Sequence, residues 1–177
     1  SQGWDTCALL LLAMTCVAFT IQDAQWVDTP GLLLIIFSST VIGLIMARAG
    51  VAWFVVHLAS LTLGSIFVVW QCLVLADGDS VLDRILDLIN RIVSFYRAAS
   101  DGGISTDLLP ISILVLAFAW LMGYLGSWYL FRRNNVWVAL VSAGLIMLTA
   151  LSFLPESYTL NFFIFIFLAM MLVAKPC

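Results

Sequence analysis

The chain has 177 residues, 64% of them hydrophobic and only 10% charged, and its mean hydropathy is +1.15. A water-soluble globule is about 45–50% apolar and about 25% charged, and disorder requires low hydrophobicity. The net charge of -3, with seven Lys and Arg, leaves no basic run that could track nucleic acid. These figures exclude a soluble enzyme, a nucleic-acid binder and a disordered chain, and predict an all-α integral membrane protein.

A spanning helix needs about 20 apolar residues to cross about 30 Å of hydrocarbon. The first such run covers about 4–24, with its apolar stretch, free of charged residues, from Cys7 to Ile21. Only Asp5 is charged ahead of it, where a signal peptide would carry Lys or Arg, so it reads as a retained span. A polar turn with Asp23, Asp28 and Pro30 follows. The second span is about 31–47, closed by Arg48. The third, 51–76, would measure about 39 Å as one helix, which demands tilt or protrusion.

Residues 77–107 form the one long polar stretch. Within it, 80–97 predicts an amphipathic helix. Val81, Ile85, Leu88, Ile92 and Tyr96 recur on one face, and Asp83, Asp87, Asn90, Arg91, Ser94 and Arg97 on the other. Ser80 is placed to cap it, and Asp87 precedes Arg91 in the supportive i,i+4 order. Its apolar face is expected in the outer lipid boundary or on top of the bundle. Gly102-Gly103 gives a flexible return. The remaining spans are 108–131, ended by Arg132-Arg133; 136–154, ended by Pro155; and 158–174, ended by Lys175-Pro176.

The expected architecture is therefore a single transmembrane domain over 1–177. It is a six-helix transmembrane bundle with one amphipathic interfacial helix in the long 3–4 loop. No run alternates as a barrel strand would. Pro30, Pro110, Pro155 and Pro176 all sit at span ends, where a missing N–H costs little. Arg48, Arg132, Arg133 and Lys175 share the N-terminal side, whereas nine of the ten acids fall on the other. Lys and Arg in short loops mark the cytoplasmic face, so both ends are expected in the cytoplasm. The unusual ends, Ser1 and Cys177, are read as those of a piece of a longer protein.

Candidate chemistry is sparse. Cys7, Cys16, Cys72 and Cys177 form no C-x-x-C pair and read as small apolar residues, not a metal site. No acid lies inside a span, so no carboxylate relay is expected and no catalytic residue is assigned. His57, the single histidine, is the one candidate cofactor-binding residue, as an axial ligand to a haem or chlorin metal or a donor to a quinone. The reading preferred for it is a neutral imidazole hydrogen-bonded to a neighbouring helix or to interfacial water, with no cofactor. Gln71 and Cys72 read as packing groups. Small residues recur at helical spacing in Ser60/Gly64, Gly43/Ala47, Gly123/Ser127 and Ala139/Ala143, which lets helices approach closely in lipid. Trp4, Trp26, Trp53, Trp120, Trp128 and Trp137, with Tyr124, Tyr129 and Tyr158, are expected to form an aromatic belt near the span ends, with Trp70 toward the outer end.

The run Gly123-Tyr124-Leu125-Gly126-Ser127-Trp128-Tyr129-Leu130-Phe131-Arg132-Arg133, with Ala24-Gln25-Trp26-Val27 and Trp53 ahead of His57-Leu58, resembles the N-terminal membrane domain of bacterial transglutaminase-like (TgpA-type) proteins. The resemblance covers most of the chain. It implies a multi-pass domain of the bacterial plasma membrane, followed in the family by an extracytoplasmic Cys-His-Asp domain that these residues do not contain. The expected function is thus a membrane anchor or scaffold of a larger envelope protein, without catalysis of its own. Its expected partners are the lipid bilayer and other membrane subunits. An accessory subunit packed on an energy-converting or pigment-bearing complex is the second reading. A transporter or cofactor-binding protein is the third, with less support, since no span is broken at mid-depth.

Overall fold

The computed structural model describes residues 4–25, 27–102, 106–152 and 159–174. Expectations for Trp26, Gly103, Pro155, Glu156, Tyr158, Lys175, Pro176 and Cys177 lie outside them. The described residues form seven helices and no strand: α1 (Trp4–Ala24), α2 (Leu32–Arg48), α3 (Trp53–Cys72), α4 (Val81–Ser100), α5 (Leu109–Arg133), α6 (Trp137–Leu151) and α7 (Thr159–Ala174). Helices α1, α3 and α5 are long and apolar enough to cross a membrane; α2, α6 and α7 are apolar but shorter.

Helix α3 ends sooner than its hydropathy predicts. After Cys72 the chain turns through Leu73 N–H to Val69 O and Leu75 N–H to Cys72 O (2.9 Å). Arg91 then donates to the Leu75 carbonyl at 3.1 Å, fixing that turn to α4. The apolar run therefore outlasts its helix, and the Leu75 carbonyl is satisfied by Arg91 instead of a further helical turn. The long helix is instead α5, whose 25 residues extend about 37 Å.

Helix α5 is the hub. It packs most extensively on α2 and also touches α1, α3, α4 and α6, while α1 lies along α7 and α6. The α2–α5 pair runs parallel and is built on small residues. A Cβ at Gly43 would collide with Ser127 Oγ and the Tyr124 carbonyl, and one at Gly123 would collide with Ser39 Oγ. Ser39, Thr40 and Ser127 are buried, yet each hydroxyl donates to a carbonyl one turn back on its own helix, at 3.0, 2.7 and 2.8 Å. Polar groups at this seam are therefore satisfied without separating the helices.

The aromatic residues divide in a way the belt expectation did not capture. Trp4, Trp53, Trp70 and Trp137 are exposed, but Trp120, Tyr124 and Trp128 face the interior. Trp120 is 2% exposed and fills the space that Gly64 leaves on α3, which is why that glycine cannot carry a side chain.

At the other end of the bundle, α4 begins with a capping box. Ser80 Oγ accepts the Asp83 N–H, and Asp83 accepts the Ser80 N–H, both at 3.2 Å. Only Leu88 of this helix is buried, with Ile92 and Phe95 half-buried beside it. Arg91 holds Asp107 through two bonds of 2.6 Å, and Asp107 also accepts the Leu109 N–H at the start of α5. The i,i+4 partner read from sequence, Asp87, is only the outer member at 3.9 Å.

Candidate functional site

A linked set of polar and aromatic side chains lies on the α3–α5 seam. Residues 53, 57, 60 and 64 of α3 recur at helical spacing and oppose 128, 124 and 120 of the antiparallel α5. His57 Nδ1 and the Tyr124 hydroxyl are 2.7 Å apart. Ser60 lies beside the same hydroxyl and accepts from Trp120 Nε1, 3.2 Å to its carbonyl and 3.4 Å to Oγ. A buried imidazole without such a partner would be costly, and the helix spacing supplies one.

Rings pack around the imidazole. Trp128 lies 4.9 Å away centroid to centroid, Tyr124 5.7 Å and Trp53 5.8 Å. His57 is half-buried and also lines a cleft of about 960 Å³ at the end of α3 and α5. Among the described residues, only Tyr124 is hydrogen-bonded to the ring, through Nδ1.

The cleft is shaped by two chain reversals. Helix α2 closes at Ala49, and Gly50–Ala52 lead into α3. Helix α5 ends at Asn134, whose φ of +50° is the left-handed conformation that asparagine tolerates. Arg132 donates to the carbonyls of Ala47 and Ala49 at 3.3 and 3.1 Å, completing the last turn of α2. Arg133 lines the cleft exposed, without an ion pair among the described residues. Among the described residues, the lining thus contains two guanidiniums and one imidazole, and no carboxylate.

The sequence marked His57 but not its partner Tyr124, which it assigned to the belt. The cue was the three- and four-residue helical spacing of His57–Ser60–Gly64, set against the four-residue spacing of Trp128–Tyr124–Trp120 on a helix of opposite direction. Cys7, Cys16 and Cys72 are free thiols, and no group of three His, Cys, Asp or Glu among the described residues could hold a metal ion. The arrangement offers hydrogen-bond donors and aromatic walls, a composition suited to binding an anion.

Comparison with protein-family models, curated proteins and solved structures finds no match to the chain.

Proposed function

We propose that the chain is a six-helix transmembrane bundle that anchors and scaffolds a larger bacterial envelope protein of the transglutaminase-like type, and does no catalysis itself. The supporting observation is an inverted surface. Phe37, Leu58, Leu61, Leu145, Phe163 and Phe167 point outward, while Ser39, Thr40 and Ser127 are enclosed. Hydrocarbon accepts that outer surface and water does not. Helices α2, α6 and α7 would extend about 22–26 Å, a shortfall that local bilayer thinning and snorkelling flanks accommodate. Arg48, Arg132 and Arg133 at one end favour that end as the cytoplasmic one, in a bacterial plasma membrane.

The envelope context rests on the resemblance around Gly123–Arg133, Ala24–Val27 and Trp53–Leu58. Intact-mass measurement of the native protein purified from membranes tests it. The expected mass exceeds 19.5 kDa by a soluble thiol–histidine domain. A native mass equal to that of this chain would remove the anchor reading and leave the accessory-subunit one.

A further inference from the structure

Two cavities lie along one face of the α3–α5 seam. The first is the cleft at the Arg132–Arg133 end. The second is a groove of about 230 Å³ between Leu61, Ser65 and Val68 of α3 and Ala117 and Leu121 of α5. On α3, positions 53, 57, 61, 65 and 68 form one stripe; on α5, so do 132, 128, 121 and 117. Trp53 joins the cleft to the exposed apolar face of α3, being 67% exposed and edge-on to Phe54 at 6.2 Å. A charged recess and an apolar groove therefore follow each other on a single track.

We propose that this track binds an anionic amphiphile by its phosphate group, with Arg132, Arg133 and His57 on the phosphate and the tail in the groove beyond Trp53. Arg133 brings a guanidinium fork with no carboxylate among the described lining residues to neutralise it. Arg132 spends Nη1 on α2 and keeps its other donors. The cleft falls within the roughly 300–1,000 Å³ of small-molecule sites. A soluble phosphate would leave the aromatic wall and the groove unused. The proposal rests on the membrane reading, because only a lipid-facing α3 offers its apolar track to a tail. It is independent of sidedness and of the envelope context.

The test is native mass spectrometry of the detergent-solubilised full chain titrated with phosphatidylglycerol, phosphatidylcholine or glycerol 3-phosphate. One saturable phosphatidylglycerol site is expected, with phosphatidylcholine and glycerol 3-phosphate each at least about tenfold weaker. Arg133→Gln should weaken that site about five- to tenfold, whereas Arg97→Gln, at the opposite end, should leave it unchanged. Arg133→Lys should fall between, since the charge remains and the fork is lost. Ala117→Leu, which fills the groove, should weaken phosphatidylglycerol and spare glycerol 3-phosphate. Unchanged elution and circular dichroism of each variant confirm its fold. Equal binding by Arg133→Gln and Arg97→Gln, or equal affinity for phosphatidylcholine, would overturn the site. Glycerol 3-phosphate binding as tightly as the lipid would overturn the amphiphile. A chain that stays dispersed without detergent would instead remove the membrane reading, before any ligand is added.

Discussion

The hydroxyl of Tyr124 is the group that settles the imidazole of His57, since it is the hydrogen-bond partner the fold brings to the buried side of the ring. Tyr124→Phe should therefore cost about 1–2 kcal/mol in unfolding from detergent, the cost of leaving a buried polar atom unpartnered. His57→Gln retains a side chain able to bond the hydroxyl and should cost less than about 1 kcal/mol. Its visible absorption spectrum should match the wild type; a band lost in that variant would mark a bound pigment. Glycines separate as sharply. Gly43→Ala meets the Tyr124 backbone, which cannot yield, and should destabilise by about 1–3 kcal/mol. Gly144→Ala meets only Phe165 at 3.8 Å, an ordinary contact, and should be neutral or stabilising by up to about 1 kcal/mol in the same melts. Small-residue spacing made Gly43 and Gly123 legible in the sequence. Their opposite numbers, Ser127 and Ser39, were not fixed by it, because spacing gives a helix its face and says nothing of which helix lies across. Trp120 and Trp128 were misread for a related reason: a tryptophan near a span end fits a belt or a core, and only the space opposite, at Gly64 for Trp120, decides.

Helix α4 divides its circumference three ways. Leu88, Ile92 and Phe95 turn toward the bundle; Leu82, Ile85, Ile89, Val93 and Tyr96 form an exposed apolar flank; Asp83, Asn90, Ser94 and Arg97 form a polar one. A helix lying beside a bundle at a membrane surface needs this division, since it meets protein, lipid and water on three sides. Its docking depends on the Arg91–Asp107 pair. The two hydrogen bonds from Arg91 hold the Asp107 carboxyl below the usual carboxylate range, and the same pairing raises Arg91. A depressed carboxylate contributes stability above its unfolded pKa of about 3.9 and loses it as pH falls through the folded value. The raised Arg91 is charged throughout the usable range. Amide-exchange protection of α4 should thus be flat from about pH 5 to about pH 8 and fall in stronger acid. Asp107→Asn should abolish the acid step and loosen α4 by about 1 kcal/mol at neutral pH. Periodicity and Ser80 made this helix readable from the sequence. The ion pair escaped because the nearer acid, Asp87, satisfied the local i,i+4 rule, and the closer partner stands sixteen residues away across a chain return.

At the scale of the whole molecule, the charge distribution predicts that a cysteine at Asp101 is labelled from outside intact cells and one at Asn134 is not. Labelling at 134 alone would reverse the orientation. The pattern of partners has a further consequence for the order in which the protein can be made. Helix α2 has its main partner in α5, and α1 in α7 and α6, whereas α1, α2 and α3 make only limited contact with one another. During synthesis the first three helices leave the ribosome before the surfaces they are shaped to meet exist. On the proposed membrane reading they wait in the bilayer, loosely associated, until α5 arrives to pack on α2 and α3. A chain severed between α4 and α5 should give an amino-terminal half that is rapidly degraded when expressed alone. The same half should be rescued when the carboxyl-terminal half is supplied from a second gene.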